Sequence, residues 1–261
     1  MKYRNKYKYY LKICKELRFE FLNSIYQGYK FHIGGSLSCV ELTTHILFNK
    51  KFKIFSDNNH FLLSKGHALG IYYLSLIKLK KLSLKKMKNM YKYGKLGGQL
   101  DIYSLKKLPH WNTGSLGHSI GVSIGLSLAK KNSKIWNIVG DAEFDEGSIW
   151  EALNYISEKK VKNIIIIIDR NKISATTKIL KKNIFDSSLL NNLNMNLFKI
   201  NGHNHKVIEN VFLKAYKSIR SSIIIADTIK GKGFKEFENN LNYNHLLPEK
   251  KIIGKILSNY E

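Results

Sequence analysis

The stretch from Lys134 to Thr176, KIWNIVGDAEFDEGSIWEALNYISEKKVKNIIIIIDRNKISAT, restricts the fold more than any other part of the chain. Its two apolar runs, Ile135–Val139 and Ile164–Ile168, are too short for helices and too uniformly apolar for strands with one wet face, so each reads as a strand covered on both sides. Between them, Ser148–Lys159 carries Ile149, Ala152, Leu153 and Ile156 at helical spacing, with Ser148 and Glu151 placed as a capping box. Strand, helix and strand in this order make a βαβ unit with parallel strands. Each run then ends in oxygen-bearing side chains, Gly140-Asp141 after the first and Asp169-Arg170-Asn171 after the second. Ligands of open α/β sheets bind beyond the carboxyl ends of the strands, which brings Asp141 and Asn171 together there as one anionic and one neutral oxygen donor. Such a pair suits a hard cation that also takes phosphate oxygens at ~2.1 Å, and magnesium diphosphate is the ligand class implied.

With 261 residues, 44% of them hydrophobic, the chain can bury a sizeable core, and residues 1–261 read as a single domain with 229–261 as a carboxy-terminal extension. The two cysteines, Cys14 and Cys39, lie in helical-looking segments without metal-ligand spacing, which points to free thiols in a reducing compartment, by default the cytoplasm. No run of about 18 apolar residues occurs, and the opening MKYRNKYKYYLK lacks the apolar core of a signal peptide, so no membrane association is expected. A net charge of +25 would suit nucleic acid, but arginine is limited to Arg4, Arg18, Arg170 and Arg220. Lysine accompanied by heavy use of Asn, Ile and Tyr is what an AT-rich coding sequence forces on tolerant surface positions. Compositional drift is therefore favoured over nucleic-acid binding, although the field still attracts phosphorylated sugars or an acidic partner chain.

Elsewhere, residues 3–27 read as an amphipathic helix with Leu11, Cys14, Leu17, Phe21 and Ile25 on one stripe. FHIGGSLSCVELTTHILF, residues 31–48, places His32 at a loop-to-helix junction beside Gly34-Gly35 and continues as a helix with Val40, Leu42, Ile46 and Leu47. HFLLSKGHALGIYYLSLI, residues 60–77, reads as a strand, a turn at Lys65-Gly66-His67 and a helix. A helix over Ser83–Tyr93 and a loop containing Pro109 follow. Asn112–Lys131 begins in a Gly-rich turn and continues as a helix with Gly117, Gly121 and Gly125 four residues apart. Each such Gly destabilises an isolated helix by ~1 kcal/mol relative to Ala, and close approach of a neighbouring backbone or ligand is the natural offset. Leu197–Asn201 and Ile223–Asp227 read as strands around a helix at Lys206–Ile219, and Pro248–Tyr260 as a closing helix.

The Gly140-Asp141 opening, with Asn171 thirty residues after Asp141, resembles the thiamine-diphosphate signature. EGSIWEALNY, DRNKIS, HIGGSLS, LSKGHA and Lys230-Gly231-Lys232-Gly233 resemble phrases of the amino-terminal half of transketolase, over about residues 10 to 250. That resemblance implies a doubly wound, mostly parallel α/β sheet of the thiamine-diphosphate-binding fold, here its diphosphate-binding domain. It implies magnesium held by Asp141, Asn171 and the carbonyl of Ile173, and cofactor contacts at His67, Gly114, Ser115, Leu116, Asp141, Ala142, Asn171 and Lys230. His32 and His67 would serve ketol transfer between sugar phosphates, together with a histidine near position 244. The implied cofactors are thiamine diphosphate and Mg2+, and the implied partner is a separate carboxy-terminal transketolase subunit carrying the pyrimidine-binding half, in an obligate hetero-oligomer.

Three positions depart from the family pattern. Ala142 stands where a second Gly is usual, Gln99 replaces a histidine, and Asn244 replaces another, with His245 one place late. Glutamine donates a hydrogen bond but carries no proton, so acid–base work at position 99 is lost. A one-residue slip in the loop would turn His245 into the site as a replacement; in register, Asn244 points inward instead. Two other readings stay open: half of a deoxyxylulose-phosphate synthase, and a degenerate basic nucleic-acid-binding protein, for which the Tyr and Lys of residues 1–12 give only a faint version of the required interleaving.

Overall fold

The computed structural model describes residues 2–55, 59–88, 113–174, 188–243 and 246–260. Helices α1 (Lys2–Tyr26), α2 (Ile33–Ser38) and α3 (Val40–Leu47) precede strand β1 (Asn59–Leu63). There follow α4 (Leu69–Lys78), α5 (Leu84–Lys88), α6 (Ser119–Ala129), β2 (Lys134–Gly140), α7 (Gly147–Glu158) and β3 (Ile164–Arg170). The chain closes with α8 (Ser188–Asn191), β4 (Asn196–Asn201), α9 (His205–Lys217), β5 (Ser222–Asp227) and α10 (Lys250–Ser258).

The strands lie in the order β1-β2-β3-β5-β4, and every neighbouring pair is parallel. The apolar runs are buried on both sides because alternate residues face different layers. Phe61, Leu63, Trp136, Ile138, Ile165, Ile167 and Ile224 join the core formed with α1, α3, α4, α9 and α10. Leu62, Ile135, Val139, Ile164, Ile166, Ile168, Ile223 and Ile225 join a second core under α6 and α7. The crossover from β2 to β3 runs one way along the sheet and that from β4 to β5 runs back. Right-handed connections therefore set α7 and α9 on opposite faces, which is the doubly wound arrangement.

Several local expectations need correcting. On α1 the buried stripe is Tyr10, Ile13, Cys14, Leu17, Phe21 and Ile25, while Leu11 is 54% exposed, because it sits one residue, about 100° of helix, off that line. Residues 33–47 form two helices rather than one. The capping box is not at Ser148 and Glu151: α7 begins at Gly147, and a one-sided cap lies in the preceding turn, where Glu143 Oε2 accepts from Gly140 N at 2.7 Å. Of the helix expected over Ser83–Tyr93, residues 83–88 are described and Leu84–Lys88 are helical; 89–93 lie outside the described residues. Of the glycine stripe, Gly117 packs closely, a Cβ there lying 2.5 Å from Ser148 Oγ and 2.8 Å from Glu146 Cβ, but the two glycines within α6 do not pack on other elements among the described residues. Ser119, Ser123 and Ser127 face the sheet instead, where Asn137 Nδ2 donates to Ser119 Oγ at 2.9 Å and to Ser123 Oγ at 3.0 Å, and Ser127 bonds Asn163. Gly121 and Gly125 point outward, and a Cβ added at either would meet nothing within 4 Å among the described residues. Among the described residues no helix is long and apolar enough to cross a membrane.

Candidate cofactor site

The ends of β1, β2, β3 and the turn after β5 converge on a cavity of about 300 Å³. Gly140 and Asp169 are partners in the β2–β3 register, so the residues following them leave the sheet side by side. Lys172, bent into the left-handed region at φ 64°, turns its amide back to donate to Asp141 Oδ2 at 2.6 Å. Ala142 N donates to Asp141 Oδ1 at 2.9 Å, and Ile173 N donates to Asn171 Oδ1 at 3.1 Å. Each of these oxygens has lone-pair capacity left for a further partner. Burial, reinforced by the Asp169 carboxylate, pushes the Asp141 carboxyl up to about 6, against the pull of the Lys172 amide, Lys65 and the Ala142 amide. A cation in contact would relieve that cost. Lys230 reaches in from the other side, its Nζ donating to Ile173 O at 3.0 Å and Ser174 O at 2.8 Å. Burial and the neighbouring Lys65 lower its ammonium to about 8.

Under the cavity floor lies an ion pair that sequence reasoning did not single out. Lys65 and Asp169 are both fully buried and in contact. Lys65 Nζ also donates to Gly35 O at 2.9 Å and Ser38 Oγ at 2.8 Å, while Asp169 accepts from Ser38 Oγ at 2.6 Å and from Thr228 Oγ1. Burial opposes both charges, yet their mutual attraction outweighs it, holding Lys65 above and Asp169 below its ordinary range. Glu143, 1% exposed, was also missed: it accepts from Ser64 Oγ at 2.6 Å, Gly117 N at 3.1 Å and Gly140 N, tying three loops together. A readable signal existed for both, since charges at the ends of fully apolar strands must find partners inside.

Of the residues singled out from sequence, His32, His67, Leu116, Asp141, Ala142, Asn171, Ile173 and Lys230 all line the cavity. His32 precedes α2 and stands edge-on to His67, ring centres 6.4 Å apart. The Gly34-Gly35 pair permits this assembly. A Cβ on Gly35 would lie 2.0 Å from the His67 ring, and one on Gly34 would lie 2.8 Å from the Lys230 stem. Ala142 is absent from the left-handed positions among the described residues, so its backbone has no need of glycine. Gly114 and Ser115 are exposed and outside the cavity lining. Gln99, Pro109, Asn244 and His245 lie outside the described residues.

A parallel sheet covered on both faces, with this cavity at its carboxyl ends, defines the diphosphate-binding domain of the thiamine-diphosphate-binding fold. Transketolase from Campylobacter jejuni shares it with a TM-score of 0.81 at 24% identity, over 95% of this chain and 43% of that one. Residues 4–182 match the family described as 1-deoxy-D-xylulose-5-phosphate synthase, in its amino-terminal domain. One subunit of the apulose-4-phosphate transketolase of Actinobacillus succinogenes is 30% identical over 233 residues, covering 84% of this chain and 83% of the relative. The protein of the same name from Phocaeicola vulgatus is 28% identical over 239 residues, covering 86% and 84%. The chain belongs to the transketolase family, through the amino-terminal domain it shares with 1-deoxy-D-xylulose-5-phosphate synthase. It spans most of the length of those two relatives, but less than half of the Campylobacter jejuni enzyme and 31% of human transketolase-like protein 2.

Proposed function

We propose that this chain is the amino-terminal subunit of a split transketolase, which transfers a two-carbon ketol unit between sugar phosphates in complex with a carboxy-terminal chain. The observation that carries this reading is the meeting of Asp141, Asn171, Ile173 and Lys230 around one cavity, in a chain similar along most of its length to proteins that are themselves named as single subunits of a transketolase. The donor set fits magnesium diphosphate: a carboxylate, an amide oxygen and a backbone carbonyl are hard oxygen donors, and Lys230 and His67 supply donors for phosphate oxygens. Asp141, Asn171 and the Ile173 carbonyl would hold magnesium, with His67, Leu116, Ala142 and Lys230 around the cofactor. Thiamine diphosphate, when bound, supplies the carbon centre that carries the ketol unit. His32 at the cavity mouth and His67 deeper in donate hydrogen bonds to substrate oxygens and move their protons; His245 is proposed for the same work, Gln99 only for hydrogen bonding.

The test is co-expression with candidate carboxy-terminal chains followed by a cofactor-dependent ketol-transfer assay. Turnover in the complex and none in this chain alone is expected; a stable, active monomer would overturn the reading. The match of residues 4–182 supports a second reading, half of a deoxyxylulose-phosphate synthase, and product analysis in the same assay separates the two.

For the partner we propose the outward face of α6, where Gly121 and Gly125 leave open space among the described residues and Leu128 is 51% exposed, together with Leu116 just before the helix, 42% exposed. The buried surface is expected to exceed the standard ~1,600 Å². Gly125→Leu should leave the isolated chain's unfolding free energy within ~1 kcal/mol of wild type, since a Cβ there meets nothing among the described residues and leucine is the better helix former. It should abolish co-purification of the partner. Retained complex formation would remove α6 from the interface.

A further inference from the structure

The turn after β5 that carries Lys230 is held from below. Gly231 and Gly233 give it two left-handed residues, at φ 78° and 110°, and Gly231 N donates to Gly34 O at 3.2 Å. On one side, Arg18 of α1 donates from Nε to Lys232 O at 2.9 Å, and its stem lies so close that a Cβ on Gly233 would sit 2.5 Å from Arg18 Cδ. On the other side, Ile229 N donates to His203 Nε2 at 2.9 Å. A backbone amide only donates, so Nε2 is the bare nitrogen and the ring proton sits on Nδ1. That proton is given to Glu41 Oε2 at 3.1 Å. The same carboxylate takes Arg18 Nη2 on both oxygens, at 2.7 and 2.9 Å. Burial pushes the Glu41 carboxyl up, but Arg18 and His203 together bring it down to about 2, so it stays charged at any ordinary pH. Because Arg18 occupies both Glu41 oxygens, the nearby Cys14 and His205 do not complete a cation site with it.

We infer that Arg18, Glu41 and His203 are positioning residues for Lys230: one buried carboxylate aligns the two side chains that grip the turn at Ile229 and Lys232, and so fixes where the ammonium between them stands. The inference rests on the reading of Lys230 as a diphosphate contact. An ion pair serving stability alone need not end on the backbone of one turn, whereas this relay ends there twice, one residue before Lys230 and two after it.

The test uses the full chain, with magnesium and inorganic pyrophosphate as probe. In His203→Ala, hydrogen exchange at the amides of residues 229–233 should quicken while that of β2 and β3 stays as in wild type. Pyrophosphate affinity by calorimetry should fall about 10-fold, the scale of one charge-assisted hydrogen bond misplaced. Adding Lys230→Met should then weaken binding no further than Lys230→Met alone, since His203 acts through Lys230. Losses that add, or unchanged exchange at 229–233, overturn the inference. If Lys230→Met by itself leaves affinity intact, the assignment of Lys230 to diphosphate fails. The exchange data then decide the positioning role alone, quickening supporting it and wild-type protection rejecting it. Should His203→Ala unfold, Arg18→Lys replaces it: lysine can keep the ion pair with Glu41 but not the second arm to Lys232, so the same local quickening is expected.

Discussion

Asp141→Ala is expected to abolish magnesium-dependent binding of thiamine diphosphate. The carboxylate is the single anionic group among the proposed metal donors, and its removal leaves an amide and a carbonyl facing a divalent ion. Loss of an outer-shell partner costs ~10–100-fold in metal affinity, and loss of a direct donor should exceed that. Calorimetry on the assembled complex reads the effect, and unchanged affinity would remove Asp141 from the metal site. The pH dependence has a defined sign. Burial first, and the Asp169 carboxylate second, raise Asp141 to about 6, so below that pH the group holds a proton that a cation must displace. Magnesium affinity should therefore climb as pH rises through about 6 and level off above it. Without a cation, the same raised carboxyl contributes stability that is present below its ordinary carboxylate range and lost as pH rises through about 6, a difference of ~3 kcal/mol. Asp141→Asn should flatten both profiles.

Removing one member of the buried pair under the cavity is the second large effect. Lys65 and Asp169 have no solvent to retreat to, and either left alone keeps a charge, or loses it at a price in hydrogen bonds to Ser38, Gly35 and Thr228. Asp169→Leu or Lys65→Met should destabilise by ~3–5 kcal/mol. At ~2–4 °C per kcal/mol for a chain of this size, the melting temperature would fall by about 10 °C. Lys65→Met combined with Asp169→Leu should lose clearly less than the two singles added, because no uncompensated charge remains. Denaturant unfolding of the three variants checks this; single losses under ~1 kcal/mol, or simple additivity, would mean that the pair is not the electrostatic floor described.

The parts legible in the sequence were those where a single period governs. Ile135–Val139 and Ile164–Ile168 announce strands buried on both faces, and the parallel pairing, the two cores and the meeting of Asp141 with the Asn171 turn follow from that. What escaped was specified by pairs distant in sequence. Lys65 and Asp169 are 104 residues apart, and Lys65 looked like the start of an ordinary turn. Glu143 gathers Ser64 and Gly117 from two other loops. On α6, Ile120 points into the core as hydropathy directs, but the sheet presents Asn137 and the turn before β3 presents Asn163, and hydrogen bonding to serines fills the rest of the inner face. Leu11 on α1 shows the smaller error of a stripe drawn one residue out of phase.

That orientation of α6 separates two kinds of sequence constraint on one helix. The inner residues Ser119, Ser123 and Ser127 answer to Asn137 and Asn163 and are fixed by folding, whereas Gly121 and Gly125 answer to nothing among the described residues. Substitutions can accumulate on the outer positions without a penalty in the fold, so the surface proposed for the partner chain is able to change while the cavity at the strand ends stays as it is. A lineage in which the second chain is replaced would record the event on α6 and leave the β2–α7–β3 unit untouched.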